Sequence, residues 1–315
     1  VRAWPTHAAL LLVQAAFASQ AVEGKIAMGP VAHGGEGIRP QALAMARMLG
    51  AAIFFQLLAF AARSRARRER GSSPPREAPS ARDHLALAGL SILGIALNQT
   101  LFLVGLRLTT ATSASLLGVT IPVFTTAFAV LLRQERASPR LVLGLGLAVA
   151  GVLFLTGFGA VDRGALVITV NSISYSAYLV LSRGVLRRFG AFTVITWVFT
   201  WGAILFAPVG ASALARAVPA LTPRGWLLVA YIVAMPTIVA YLANAWALGR
   251  STPSVVTAYI YVQPVIAAGL AWIQLGEPVS RRIVVAAAFI ALGVGIVTTR
   301  PVGVAPPPLS SAAKS

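Results

Sequence analysis

The sequence predicts an all-α integral membrane protein of ten transmembrane helices, arranged as two inverted five-helix repeats. Three observations lead there. Hydrophobic residues make up 57% of the chain and charged residues 11%, with a mean hydropathy of +0.81, which leaves too little polar surface to wrap a soluble core. The apolar residues fall into ten runs of about 20, the length that crosses about 30 Å of hydrocarbon at about 1.5 Å per residue. Finally, the chain repeats itself. A shift of 142 positions carries Thr110 onto Thr252, Pro122 onto Pro264, Glu135 onto Glu277, Ser138 onto Ser280 and Gly151 onto Gly293, without a gap. Duplicated membrane-spanning units are the sequence sign of a secondary transporter, whose halves pack around a shared site.

The runs lie at about 8–26, 41–62, 85–106, 111–132, 139–158, 164–183, 191–209, 225–248, 254–275 and 281–299. The first invites a rival reading as a signal peptide, since Ala16-Phe17-Ala18 would pass as a cleavage box. Cleavage there would remove a helix the first repeat needs. Residues 29–40 form a Gly- and Pro-rich loop, and the second run ends in Arg63, Arg65, Arg67, Arg68 and Arg70. Residues 71–83 are rich in Pro, Ser and Arg without an apolar period and are expected to be unstructured. The domain plan is therefore a first repeat over 1–160 with a basic linker at about 63–84, a second repeat over 161–300, and a disordered tail at 301–315.

Ten crossings put both termini on one side. With the N terminus inside, 17 of the 26 positive residues fall on inner segments and 8 on outer ones, with Arg47 inside a span. The excess of positive charge predicts cytoplasmic termini in the inner (cytoplasmic) membrane. Five helices per repeat is an odd number, so the second repeat enters from the opposite face.

The stretch Ile95 to Leu106 with Asn98, Gln99, Phe102 and Gly105, the segment Pro122 to Glu135, and Tyr259 to Pro264 with Leu275-Gly276-Glu277 together resemble the ten-helix EamA type of the drug/metabolite transporter superfamily. The likeness runs across nearly the whole chain, and the Asn98-Gln99 segment is also similar to the plant "walls are thin" transporters. The resemblance implies a transporter of a small metabolite, and Lys25 and Arg47 fall where that family often carries basic residues. The chain departs from the pattern in Phe17, where many members have Trp, in the extra acid Glu23, and in the long linker.

Candidate binding residues follow from the cost of polarity in lipid. A charge near the centre of a span costs at least about 2.5 to 3.5 kcal/mol, so one that persists faces a cavity or a partner. Arg47 meets that description; Lys25 is nearer its helix end, where it can also reach the headgroups. Both are candidates to attract a substrate carboxylate. Asn171, Tyr175 and Tyr178 share one helical face, as do Tyr241 with Asn244, and Tyr259 with Gln263. Trp201 stacks with Trp197, and Asn98 completes a lining with rings for an apolar part and amides for a polar end. Pro122 and Pro264, near mid-span, break the helical ladder and leave the carbonyls of Gly118 and Ile260 in need of partners, as helix breaks or gates. Glu135 and Glu277 sit at span ends, expected to pair with nearby arginines or to set the turn, and the small residues Gly144, Ala148, Ala287, Ala291 and Gly295 suit close helix contact within the fold or in a homodimer.

Other classes fit less well. A nucleic-acid binder would display the +18 charge on a solvated face, whereas these arginines alternate with apolar runs. Cysteine is absent and His7, His33 and His84 share no ligand spacing, so no metal or cofactor is expected. Eight acidic residues, mostly in loops, form no catalytic set, which argues against an enzyme. The expectation is a secondary transporter for a small-molecule solute, an amino acid or related carboxylate, by export or exchange. A broad drug exporter is the alternative, and a non-transporting receptor or enzyme fits least.

Overall fold

The structure, a computed structural model, describes residues 4–69, 79–133, 139–156, 162–248 and 259–298. Among these residues there are helices and turns and no strands. The chain forms α1 (Trp4–Met28), α2 (Pro40–Glu69) and α3 (Ala81–Ser91), the last running through a π segment (Ile92–Leu97) into α4 (Asn98–Leu108). Next come α5 (Ala111–Gly118), α6 (Ile121–Leu131), α7 (Pro139–Thr156), α8 (Arg163–Leu181), a short α9 (Arg183–Phe189) and α10 (Ala191–Ala217). α11 (Pro223–Val233) continues through a second π segment (Ala234–Val239) into α12 (Ala240–Leu248), and a 3-10 turn (Tyr259–Val262) leads into α13 (Gln263–Leu275), followed by α14 (Arg281–Thr298).

Among the described residues six helical stretches are long and apolar enough to cross a membrane: Pro40–Arg65, Ala81–Leu108, Ala111–Leu131, Arg163–Leu181, Ala191–Ala220 and Pro223–Asn244. Val142–Gly151 and Gln263–Leu275 are shorter apolar helices. α1 is not among the six because Gln14, Ser19, Gln20, Glu23 and Lys25 lower its hydropathy, and it packs against α4, α5, α12 and α13. Polarity is turned inward throughout. Arg47, Gln99 and Asn171 are 4% exposed or less, whereas Phe60, Leu227 and Ile273 are at least 70% exposed. Such an arrangement is stable only in an apolar surrounding.

Local chemistry sets the helix starts. Ser80 and Asp83 form a reciprocal capping box, so α3 begins inside the stretch expected to be unstructured. Thr110, Asp162 and Thr222 cap α5, α8 and α11 by accepting from Ser113, Ala165 and Gly225 N–H. The two prolines do not kink continuous helices. α5 stops at Gly118, and Pro122 lies in the first turn of α6, where its missing N–H has no helical partner to lose. The carbonyls at that break are Leu117 and Ile121, met by Thr120 and Ser172 hydroxyls at 2.6 and 3.3 Å and by Ser176 at 3.0 Å. Pro264 likewise opens α13.

Close helix contact rests on glycine. α7 packs along α14, with Gly151 so near that an added Cβ would lie 2.8 Å from Ile290 and 3.1 Å from the Ala286 carbonyl. α4 and α8 cross with backbones touching at Gly105 and Gly164.

Polar contacts sort the turns into two groups. Around the C-terminal end of α1, Glu36 accepts from Thr222 (2.6 Å), Arg224 donates to the Gly34 carbonyl (2.9 Å), Thr109 donates to Asp162 (2.5 Å), and Glu277 reaches Ala111 and Lys25. At the other end Arg188 pairs with Asp83 at 2.7 Å.

Candidate functional site

The centre of the molecule is built around Arg47. α2 carries it inward until it is 3% exposed. Its Nε donates to Thr237 Oγ1 at 3.0 Å and its Nη2 to Gln20 Oε1 at 3.0 Å. The sequence reading missed both partners. Pro236 supplies the local reason for the first: it lacks an N–H, so the Ile232 carbonyl four residues back loses its helical donor, and the Thr237 hydroxyl donates to it instead at 2.9 Å. With its proton committed there, Thr237 turns its lone pairs to Arg47. Among the described residues no carboxylate pairs with the guanidinium, and Nη1 has no hydrogen-bond partner.

Tyrosines gather beside this cation. Tyr241, one turn beyond Thr237, lies within electrostatic reach of Arg47, of Tyr175 and of Tyr178. Its ring meets Phe199 edge-on at 5.2 Å and Phe17 at 6.1 Å. Tyr175 and Tyr178 stack at 5.6 Å on α8, and one turn before Tyr175 the Asn171 carbonyl accepts from the Asn98 amide at 2.9 Å. Tyr178 covers Gly94 in the first π segment, where any Cβ would sit 2.4 Å from the ring. The structure thus brings Arg47, Tyr241, Tyr175 and Tyr178 together, with Asn98 and Asn171 bonded to each other alongside. A buried guanidinium with Tyr241 in electrostatic reach can hold an anion on an amphipathic solute.

Lys25, Trp201 and Tyr259 bond to residues outside that cluster. Lys25 is 3.7 Å from Glu277 Oε1 at the end of α1. Glu277 does not pair with an arginine among the described residues; its Oε1 accepts from Ala111 N–H at 3.0 Å and its Oε2 from Thr112 N–H at 3.3 Å. The start of α5 offers unsatisfied N–H groups and a positive dipole end, a better partner for a carboxylate than a solvated guanidinium. Glu135 lies outside the described residues. Trp201 donates to His84 at 3.3 Å, and Trp197 meets the same imidazole at 4.3 Å. Tyr259 bonds His7 at 2.6 Å. Asn244 and Gln263 are half-buried, three residues beyond Tyr241 and at the first turn of α13.

Glu277→Ala removes an acceptor from two helix-start N–H groups and the pair with Lys25. The expected loss is about 1 to 2 kcal/mol of stability, read as a lower unfolding midpoint of the purified protein in detergent. Lys25→Met, which removes only a partly exposed ion pair, is expected to cost less than about 1 kcal/mol. Equal losses for the two variants would show that the ion pair, not the helix cap, carries the effect.

The same arrangement of helices is found elsewhere. A crystal structure of a protein 21% identical superposes with a TM-score of 0.57, covering 94% of this chain and 96% of that one, which shows a shared fold. The uncharacterized transporter YdfC of Bacillus subtilis is 29% identical over 247 residues, 77% of this chain and 76% of its own length. The uncharacterized inner membrane transporter YedA of Escherichia coli is 28% identical over 189 residues, 59% and 61% of the two chains, and the WALLS ARE THIN 1 protein of Arabidopsis thaliana is 27% identical over 229 residues, 60% and 59%. The model of the EamA-like transporter family matches twice, over residues 6–157 and 162–299. Since those two matches take in nearly the whole length, the chain belongs to the EamA-like transporter family and is a multi-pass membrane transporter.

Proposed function

We propose that this transporter carries a small solute bearing a carboxylate, an amino acid or a related acid, by alternating access between two inverted five-helix halves. The observation that carries the substrate class is Arg47: a guanidinium 3% exposed, with no carboxylate partner among the described residues and Nη1 unbonded. An uncompensated buried charge is strongly unfavourable, and an anionic solute group supplies the missing partner.

Several features support the inverted halves. The π segments Ile92–Leu97 and Ala234–Val239 start and end 142 residues apart, the spacing of the sequence repeat. α2 packs on α10 and α7 on α14, each pairing a helix with its counterpart in the other half. The contact of α4 with α8 has its counterpart in that of α12 with α1, and α6 with α8 matches α13 with α1. In the cycle, opening the face where α1 ends breaks the Glu277 contacts to Ala111, Thr112 and Lys25, and the solute then leaves Arg47 on that side.

Among the described residues Glu23 is the carboxylate within a span, half-buried and within electrostatic reach of Arg224, so a proton relay has few stations, and exchange or facilitated diffusion stands beside proton antiport as the mode of movement. The orientation that fits the positive-inside rule puts both termini in the cytoplasm. Purified protein in liposomes, offered labelled amino acids, sugars, nucleosides and cationic dyes, is expected to move a carboxylate-bearing solute and to sustain counterflow after the proton gradient is collapsed. Movement of lipophilic cations alone would favour the drug-exporter reading, to which the rings of Phe17, Phe199 and Tyr241 lend support. Impermeant labelling that finds the two termini on opposite faces would overturn the inverted halves.

A further inference from the structure

One buried amide on α4 has no hydrogen-bond partner in the fold. Gln99 is 2% exposed, and neither its Nε2 nor its Oε1 has a hydrogen-bond partner. Buried amides are nearly always bonded, so one with both ends unmet calls for a ligand. Its neighbour behaves differently. Asn98 donates to Asn171 across the contact with α8, whereas Gln99, one residue round the helix, shares a face with Leu103 and Leu106 four and seven residues on. That face looks at α1, because a Cβ on Gly24 would meet Leu106 at 3.1 Å and Leu103 at 3.8 Å.

The level of Gln99 follows from the direction of the helices. The last turn of α1 holds Lys25, beside Glu277, and Glu277 caps Ala111, three residues past the end of α4. α1 and α4 therefore run the same way. One turn back from Gly24 is Gln20, and one turn back from Leu103 is Gln99. Gln99 thus faces α1 at the height of the residue that accepts from Arg47. Ser115, 1% exposed and also without a partner, lies one turn in from Ala111 on α5, which packs against α1 as well.

We propose that Gln99 is the second recognition group of this site and reads the amino group of an α-amino acid whose carboxylate rests on Arg47. The inference depends on the reading of Arg47 given above. The Gln99 carbonyl accepts from the ammonium, and its amide N–H donates to a carboxylate oxygen that Arg47 leaves unsatisfied. A simple carboxylate of the same shape leaves the Gln99 carbonyl buried and unpaired, which makes the amide a filter against it. Tyr241, Phe17 and Phe199 then face an apolar side chain.

The test measures ligand-induced thermal stabilisation of the purified full chain with a panel of L-amino acids, each paired with the carboxylic acid that lacks its amino group. The unaltered protein is expected to prefer at least one amino acid over its partner by tenfold or more. Gln99→Leu and Gln99→Met, two apolar replacements of similar size in case one folds poorly, are expected to bring that ratio within threefold, with the larger loss of affinity falling on the amino acid. Gln99→Glu, which keeps the acceptor, retains the preference. A ratio unchanged in the apolar variants, a loss falling equally on both ligands, or no amino acid binding at all overturns the proposal. Arg47→Ala separates the two readings. If it removes binding of both ligands while the Gln99 variants leave the ratio intact, only the role of Gln99 fails; if both ligands bind it undiminished, the carboxylate reading itself fails.

Discussion

Arg47→Ala is expected to lower the initial rate of carboxylate-solute transport by about 100-fold or more. A charge-assisted hydrogen bond contributes about 1.5 to 3 kcal/mol, and more than one N–H of the guanidinium can engage a carboxylate, so the upper end of that range applies and corresponds to about two decades. The fold should survive. Thr237 keeps its bond to the Ile232 carbonyl, Gln20 loses one donor, and removing an unpaired buried charge relieves its desolvation, so the unfolding midpoint moves little. Arg47→Lys keeps the charge but not the fork that holds Thr237 and Gln20 together, and an intermediate rate is expected. Transport in liposomes and melting in detergent, measured on the same preparations, separate activity from folding. An unchanged rate in Arg47→Ala would end the proposal that this residue meets the solute.

The largest expected effect on stability is at Gly164. A Cβ there would stand 2.6 Å from the Thr109 nitrogen and 2.7 Å from both the Gly105 oxygen and the Leu108 carbonyl carbon. All three are backbone atoms, so no side chain can swing aside. α8 must back away from α4, which loosens the Thr109–Asp162 bond and unpacks Ile168 from Gly105. Gly164→Ala is therefore expected to destabilise by about 3 kcal/mol or more, at or beyond the usual ceiling for overpacking. Gly89 on α3 is the control. Nothing lies within 4 Å of a Cβ added there, so Gly89→Ala is expected to be neutral or to stabilise by about 0.5 to 1 kcal/mol through helix propensity. Comparable melting of the two variants would show that the α4–α8 crossing yields more readily than its geometry indicates.

The helical plan was legible because lipid permits so few alternatives: each apolar run of crossing length is helical wherever it is described. The cluster of Arg47 with the tyrosines was legible in part, since residues at helical spacing share a face and charged groups turn away from lipid. What periodicity cannot supply is the partner on another helix. Glu277 and Ala111 stand 166 residues apart, and only the folded chain shows that the carboxylate belongs to a helix start. Lys25 read as a cation in search of a substrate for the same reason. Asn98 and Gln99 are adjacent amides that look alike in sequence, yet one is bonded across α8 and the other is unmet. The π segments left no trace in the apolar pattern, so the Pro236–Thr237 support of Arg47 was not anticipated.

A π turn holds one residue more than an α turn, so it swings the side chains that follow it by about 100° round the helix. Both copies of the family unit carry it at the same address, although the residues differ: Pro236 and Thr237 in one, Gly94 and Ile95 in the other. The same widening therefore sets the facing of Asn98 just beyond the first segment and of Tyr241 just beyond the second.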